Sequence, residues 1–102
     1  MILYNLTVHI ATEKEKDFVK WMKEVHIPEV MATGLFEDNK FFKLLLEVEE
    51  GGINYSTQYF AKSLENVRNY QANFAGNIHK KLKDRFGDQI VYFGSLLEQI
   101  DL

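Results

Sequence analysis

Ile2, Tyr4, Leu6, Val8 and Ile10 alternate with Leu3, Asn5, Thr7 and His9 at the head of the chain. A period of two predicts a β-strand with one strongly apolar face and one mixed face. Thr12-Glu13-Lys14-Glu15 follows, a hydroxyl with a carboxylate three residues later, which is the capping-box pattern of a helix start. From about Glu13 to His26, Phe18, Val19, Met22 and Val25 recur at helical spacing, while Lys16, Lys20, Lys23 and Glu24 face out. At about 100° per residue, Trp21 and His26 fall on opposite borders of that stripe, where a side chain reaches both core and solvent. Pro28 biases Ile27 away from helical angles. A break is expected there, with a short second turn from Pro28 to Gly34.

Phe41 to Val48 reads as a second strand, with Phe42, Leu44, Leu46 and Val48 on one face and Lys43 and Glu47 on the other. Gly51-Gly52 offers a permissive hairpin turn into a third strand, Ile53 to Ala61. Ser63 can cap a long second helix with the stripe Leu64, Val67, Phe74, Ile78, Leu82 and Phe86. Gly76 is expected to loosen this helix midway and Gly87 to stop it, before a last strand from Ile90 to Ile100. The order βαββαβ is the split βαβ pattern, and it predicts one α+β domain, a ferredoxin-like sandwich, over residues 1–102. Right-handed crossovers put both helices on one sheet face and leave the other bare. A monomer would expose a large apolar patch there, so a homodimer packed through the sheet face is expected.

Composition narrows the partners. A net charge of −3 argues against a nucleic-acid surface, which needs clustered Lys and Arg. One basic cluster exists, His79, Lys80, Lys81, Lys83 and Arg85, but it ends a predicted helix, where cations complement the macrodipole and face water. With no cysteine, disulfides, thiolate catalysis and iron–sulfur ligation are excluded. No stretch approaches the roughly 20 apolar residues of a membrane span, and no signal-peptide pattern opens the chain. A cytoplasmic protein is expected, without membrane or nucleic-acid partners.

The segment from Trp21 through Met22-Lys23-Glu24-Val25-His26-Ile27-Pro28-Glu29-Val30 to Gly34-Leu35-Phe36 resembles the signature of a small bacterial family seen largely in Bacteroidetes. That family is known only as a domain of unknown function. Tyr4-Asn5-Leu6-Thr7-Val8, Tyr55-Ser56-Thr57-Gln58-Tyr59 and Phe93-Gly94-Ser95-Leu96-Leu97 resemble the rest of its pattern. The resemblance implies the dimeric α/β-barrel group, which includes antibiotic-biosynthesis monooxygenases, haem-degrading monooxygenases and stress-responsive barrel proteins. It implies a ligand cleft between helices and sheet, and it carries little weight for function, because function belongs to the site and not to the fold.

Among the candidate chemical groups, His26 stands first. An imidazole beside a helix break can move a proton near neutral pH; equally, it can cap the helix by bonding a free carbonyl. Trp21 can wall a pocket for a flat apolar ligand or fill the core. Asn5, Thr7 and His9 form a polar row that needs partners if that face is buried. They can orient a ligand carbonyl or make a polar seam in a dimer interface. Tyr55, Tyr59 and Tyr92 can lend hydroxyls to a pocket or serve as packing residues. A metal is the weakest option: His26 and Glu29 flank Pro28, and zinc wants three or four protein ligands. No cofactor is called for.

Three functions therefore stand side by side: a small-molecule binding module, a cofactor-independent monooxygenase-like enzyme on a flat aromatic or quinonoid substrate, and an adaptor without a ligand. In the enzyme, Trp21 would line the cleft, Asn5 hold the substrate oxygen and His26 move the proton.

Overall fold

Alternation at the head of the chain forms strand β1 (Ile2–Ile10), an inner strand of a four-stranded sheet of order β2-β3-β1-β4. The computed structural model describes residues 1–46 and 51–102. The other strands are β2 (Asp38–Lys43), β3 (Ile53–Ala61) and β4 (Ile90–Glu98), and every pairing is antiparallel. Tyr4, Leu6, Val8 and Ile10 of β1 and Tyr55, Thr57, Tyr59 and Ala61 of β3 are buried, all on the face the helices cover. The architecture is the α+β, ferredoxin-like one that the element order predicts.

The first helical arm runs α1 (Glu15–Trp21), a π turn (Met22–His26) and α2 (Ile27–Ala32) without interruption. The break expected at Ile27 is absent. Pro28 has no N–H to give the carbonyl four residues back, and its ring would crowd that carbonyl. The chain instead widens, and the Ile27 N–H donates to Met22 O, five residues back. Phe18, Met22, His26 and Val30 are all buried at steps of four. In a uniform α-helix each step drifts by roughly 40°, and the wider turn takes up part of that drift.

Other boundaries also moved. Thr12 makes no cap: Thr12–Lys14 is a 3-10 turn, and Glu15 turns its carboxylate to Lys43 and Tyr55 instead. Strand β2 begins at Asp38 and ends at Lys43, with Phe41 turned to the core and Phe42 out at 49% exposure. Leu44 and Leu46, expected in the strand, are exposed beyond its end, and Glu47 and Val48 lie outside the described residues.

Ser63 caps α3 (Leu64–Asn73), accepting from the Asn66 N–H at 3.2 Å. The second helical arm breaks at Phe74, two residues before Gly76, and resumes as α4 (Ala75–Phe86) up to Gly87 at φ 55°. Phe74 at the break and Leu64 at the start of α3 are exposed; Tyr70 and Ala75 join Val67, Ile78, Leu82 and Phe86 in the core.

Candidate functional site

Between the helical arms and the inner sheet face lies a seam of buried polar aromatics. His26 is only 2% exposed, carried inward by the π turn. Its ring lies parallel to that of His79 on α4, with centroids 6.4 Å apart and planes within 4°. The Tyr4 hydroxyl stands 3.4 Å from His79 Nε2, and the Tyr92 ring meets His79 edge-on at 5.4 Å. Tyr4 reaches this position because Gly94 faces it: a Cβ at residue 94 would come within 2.9 Å of the Tyr4 ring. Tyr4 packs in turn on Tyr70 and Tyr59, at 5.7 and 6.2 Å between centroids.

The seam holds hydrogen-bonding capacity that the protein does not use. His26 Nε2, Thr57 Oγ1 and the hydroxyls of Tyr59 and Tyr70 are buried with no partner among the described residues. A buried polar atom without a partner costs roughly 1–3 kcal/mol, so four of them ask for an explanation. All of these groups are neutral at physiological pH. Burial first, and then the charge of His79, push the His26 imidazole down to about 4. Burial also lowers His79. Tyr4 is pushed up to about 12 by burial and by Tyr92, while Tyr59 and Tyr70 are raised by burial and by their tyrosine neighbours.

The sequence-predicted residues divide between two faces. His26, Tyr59 and Tyr92 share the seam. Trp21 is also on the helical side but packs with the cluster around Phe18 and Phe86, under the Arg85 guanidinium at 5.4 Å. Tyr55 donates to Glu15 Oε2 at 2.6 Å, and Lys43 holds the same oxygen at 2.8 Å. Asn5, Thr7 and His9 point to the open face, because they alternate with the buried Tyr4, Leu6, Val8 and Ile10. Asn5 and His26 are thus on opposite sides of the sheet, and a single site containing both does not form. Glu29 turns to Lys81 at 2.9 Å. The helix-capping reading of His26 also falls, since the helix continues past it.

On the open face the side chains of the polar row hydrogen-bond to one another and to their neighbours on β3. Asn5 Nδ2 donates to Thr7 Oγ1 at 2.9 Å, Ser56 Oγ donates to Asn5 Oδ1, and Gln58 Nε2 reaches Ser56 Oγ at 3.5 Å. His9 Nδ1 pairs with Asn54 Oδ1 at 2.7 Å. Around this row stand the exposed side chains of Phe42, Val91, Phe93 and Leu97.

His79 is the residue that the sequence reading misplaced. It sits in the basic run, but while Lys80, Lys81 and Arg85 pair with Asp84, Glu29 and Asp17, its ring turns inward. A signal was available: Ala75, Ile78, His79, Leu82 and Phe86 fall on one helical face. Tyr70, three residues after Val67, was legible in the same way.

Solved structures of similar fold come from distant sequences. A dimeric ferredoxin-like protein from an uncultured marine organism superposes with a TM-score of 0.66 at 18% identity, covering 100% of this chain and 99% of that one. HapK from Hahella chejuensis gives 0.70 at 11% identity, over 98% and 93%. A Deinococcus radiodurans protein assigned to the antibiotic biosynthesis monooxygenases gives 0.61 at 10% identity, over 100% and 95%. At these identities the likeness shows the fold. The sequence matches no curated protein. One family model does match, from residue 1 to residue 100, and by it this chain belongs to the family described as Domain of unknown function (DUF4286).

Proposed function

We propose that the chain is a homodimeric small-molecule binding domain whose ligand enters the seam between helices and sheet. One observation carries this reading: four buried polar atoms, on His26, Thr57, Tyr59 and Tyr70, lack partners among the described residues. Folding tolerates such groups when something else completes them. His26 and Tyr59 bind the ligand, Tyr92 and His79 hold the His26 side of the seam, and Trp21 walls the neighbouring cluster. Asn5, Thr7 and His9 belong to the sheet face that a second copy covers.

Aromatics, quinones and haem, screened by thermal shift, test the reading. A pocket-sized aromatic should raise the melting temperature of the native protein, and His26→Ala should abolish most of that rise. If no member of the panel shifts melting, the adaptor reading takes its place.

A second reading is the cofactor-independent monooxygenase, in which His26 would take a proton from a bound hydroxyaromatic; burial works against it, because a ring held at about 4 is a weak base at neutral pH. Oxygen uptake with a bound hydroquinone, lost in His26→Ala, would favour the enzyme over the binder.

A further inference from the structure

The unpartnered atoms of the seam also say what kind of ligand they suit. Three are hydroxyls, on Thr57, Tyr59 and Tyr70, each able to donate and to accept; the fourth is a ring nitrogen. None carries a charge, and no Lys, Arg, Asp or Glu is buried among the described residues. Lys80 and Lys81 follow His79 in sequence but lie outside, each already on a carboxylate, Asp84 or Glu29, and Arg68, two residues before Tyr70, is exposed. The ring faces are occupied too. Tyr4, Phe36, Tyr59 and Tyr70 pack on one another with centroids 5.2 to 6.4 Å apart, which leaves phenol edges rather than open π-faces for a cation.

Building on the seam as the binding site, we infer that it selects an uncharged, oxygen-bearing aromatic or quinone and rejects the corresponding anion. An anion would leave its water and meet hydroxyl dipoles without a counter-charge, and that desolvation is not repaid. A neutral carbonyl or hydroxyl loses far less and gains the hydrogen bonds that the protein leaves open.

Menadione and lawsone make the test. These naphthoquinones are of similar size, but one carries a methyl group where the other carries an oxygen that is ionised at neutral pH. Calorimetric titration at neutral pH should show menadione binding on the order of 100-fold more tightly than lawsone. Tyr59→Phe should weaken menadione by about 10-fold while keeping the melting temperature of the free protein, because the lost hydroxyl has no partner to lose. His79→Arg, which brings a cation to the seam, should narrow the gap between the two quinones.

Lawsone binding within about 10-fold of menadione, with both weakened by Tyr59→Phe, would overturn the charge selection and leave the seam as the site. Neither quinone binding, or binding that ignores Tyr59→Phe and His26→Ala, would remove the site and this inference with it.

Discussion

At neutral pH the His26 imidazole is uncharged, since burial and the neighbouring His79 hold its pKa at about 4 against an ordinary 6.5. The unfolded chain therefore binds a proton in the window between those values that the folded chain refuses, and stability falls as pH drops through it. For a ring 2% exposed, the full shift corresponds to about 3 kcal/mol lost between pH 7 and pH 4. His79, lowered by burial, pulls in the same direction. Urea denaturation at a series of pH values should show this slope, and His26→Leu should flatten most of it. A native slope no steeper than that of His26→Leu would mean that His26 is not held neutral by the fold.

Helix geometry is what delivers His26 to the seam, and Pro28 is the cause we assign to it. Replacing the proline restores an N–H and removes the ring from the carbonyl four residues back, so Pro28→Ala permits a regular α-helix through Met22–His26. The regular helix turns His26 toward the border of the stripe. Its pKa, followed by NMR titration, should rise from about 4 toward 6.5, with far-ultraviolet helicity kept or increased. A His26 pKa unmoved in Pro28→Ala would show that tertiary packing, not the proline, sets the π turn. This element also shows where sequence reading stops. Strands β1 and β3 were legible because alternation over nine residues leaves one phase, and register follows from it. Strand β2 was not, because Phe41-Phe42 and Leu44-Leu45-Leu46 are apolar in both phases. Pro28 announced a disturbance but not its form, since a break and a π turn satisfy the same missing N–H. For the candidate site, His26 and Tyr59 could be singled out from type and spacing, and both are buried. Which side of the sheet Asn5 shares depends on the crossovers, and that separated it from His26.

For the whole molecule, the open sheet face is the surface on which the proposed homodimer rests. Phe42, Val91, Phe93 and Leu97 stand exposed across it, Phe93 at 60%, and soluble monomers seldom leave such a surface uncovered. The row between them bears on the cost of covering it. Asn5, Thr7, Ser56 and Gln58 already share three hydrogen bonds, which reduces the number of polar groups that a partner covering them would have to meet. The seam lies on the other side of the sheet, so pairing through this face would leave the proposed ligand site uncovered by the partner. Light scattering at micromolar concentration should give twice the 12.0 kDa chain mass. Phe93→Glu places a charge on an exposed β4 side chain, and a two-fold interface repeats that charge on both sheets. The variant should run as a folded monomer and keep the seam's ligand response, with His26→Ala retaining the dimer and losing that response. A native protein that scatters as a folded 12.0 kDa species would remove the homodimer. A dimer that survives Phe93→Glu would move the interface to another surface.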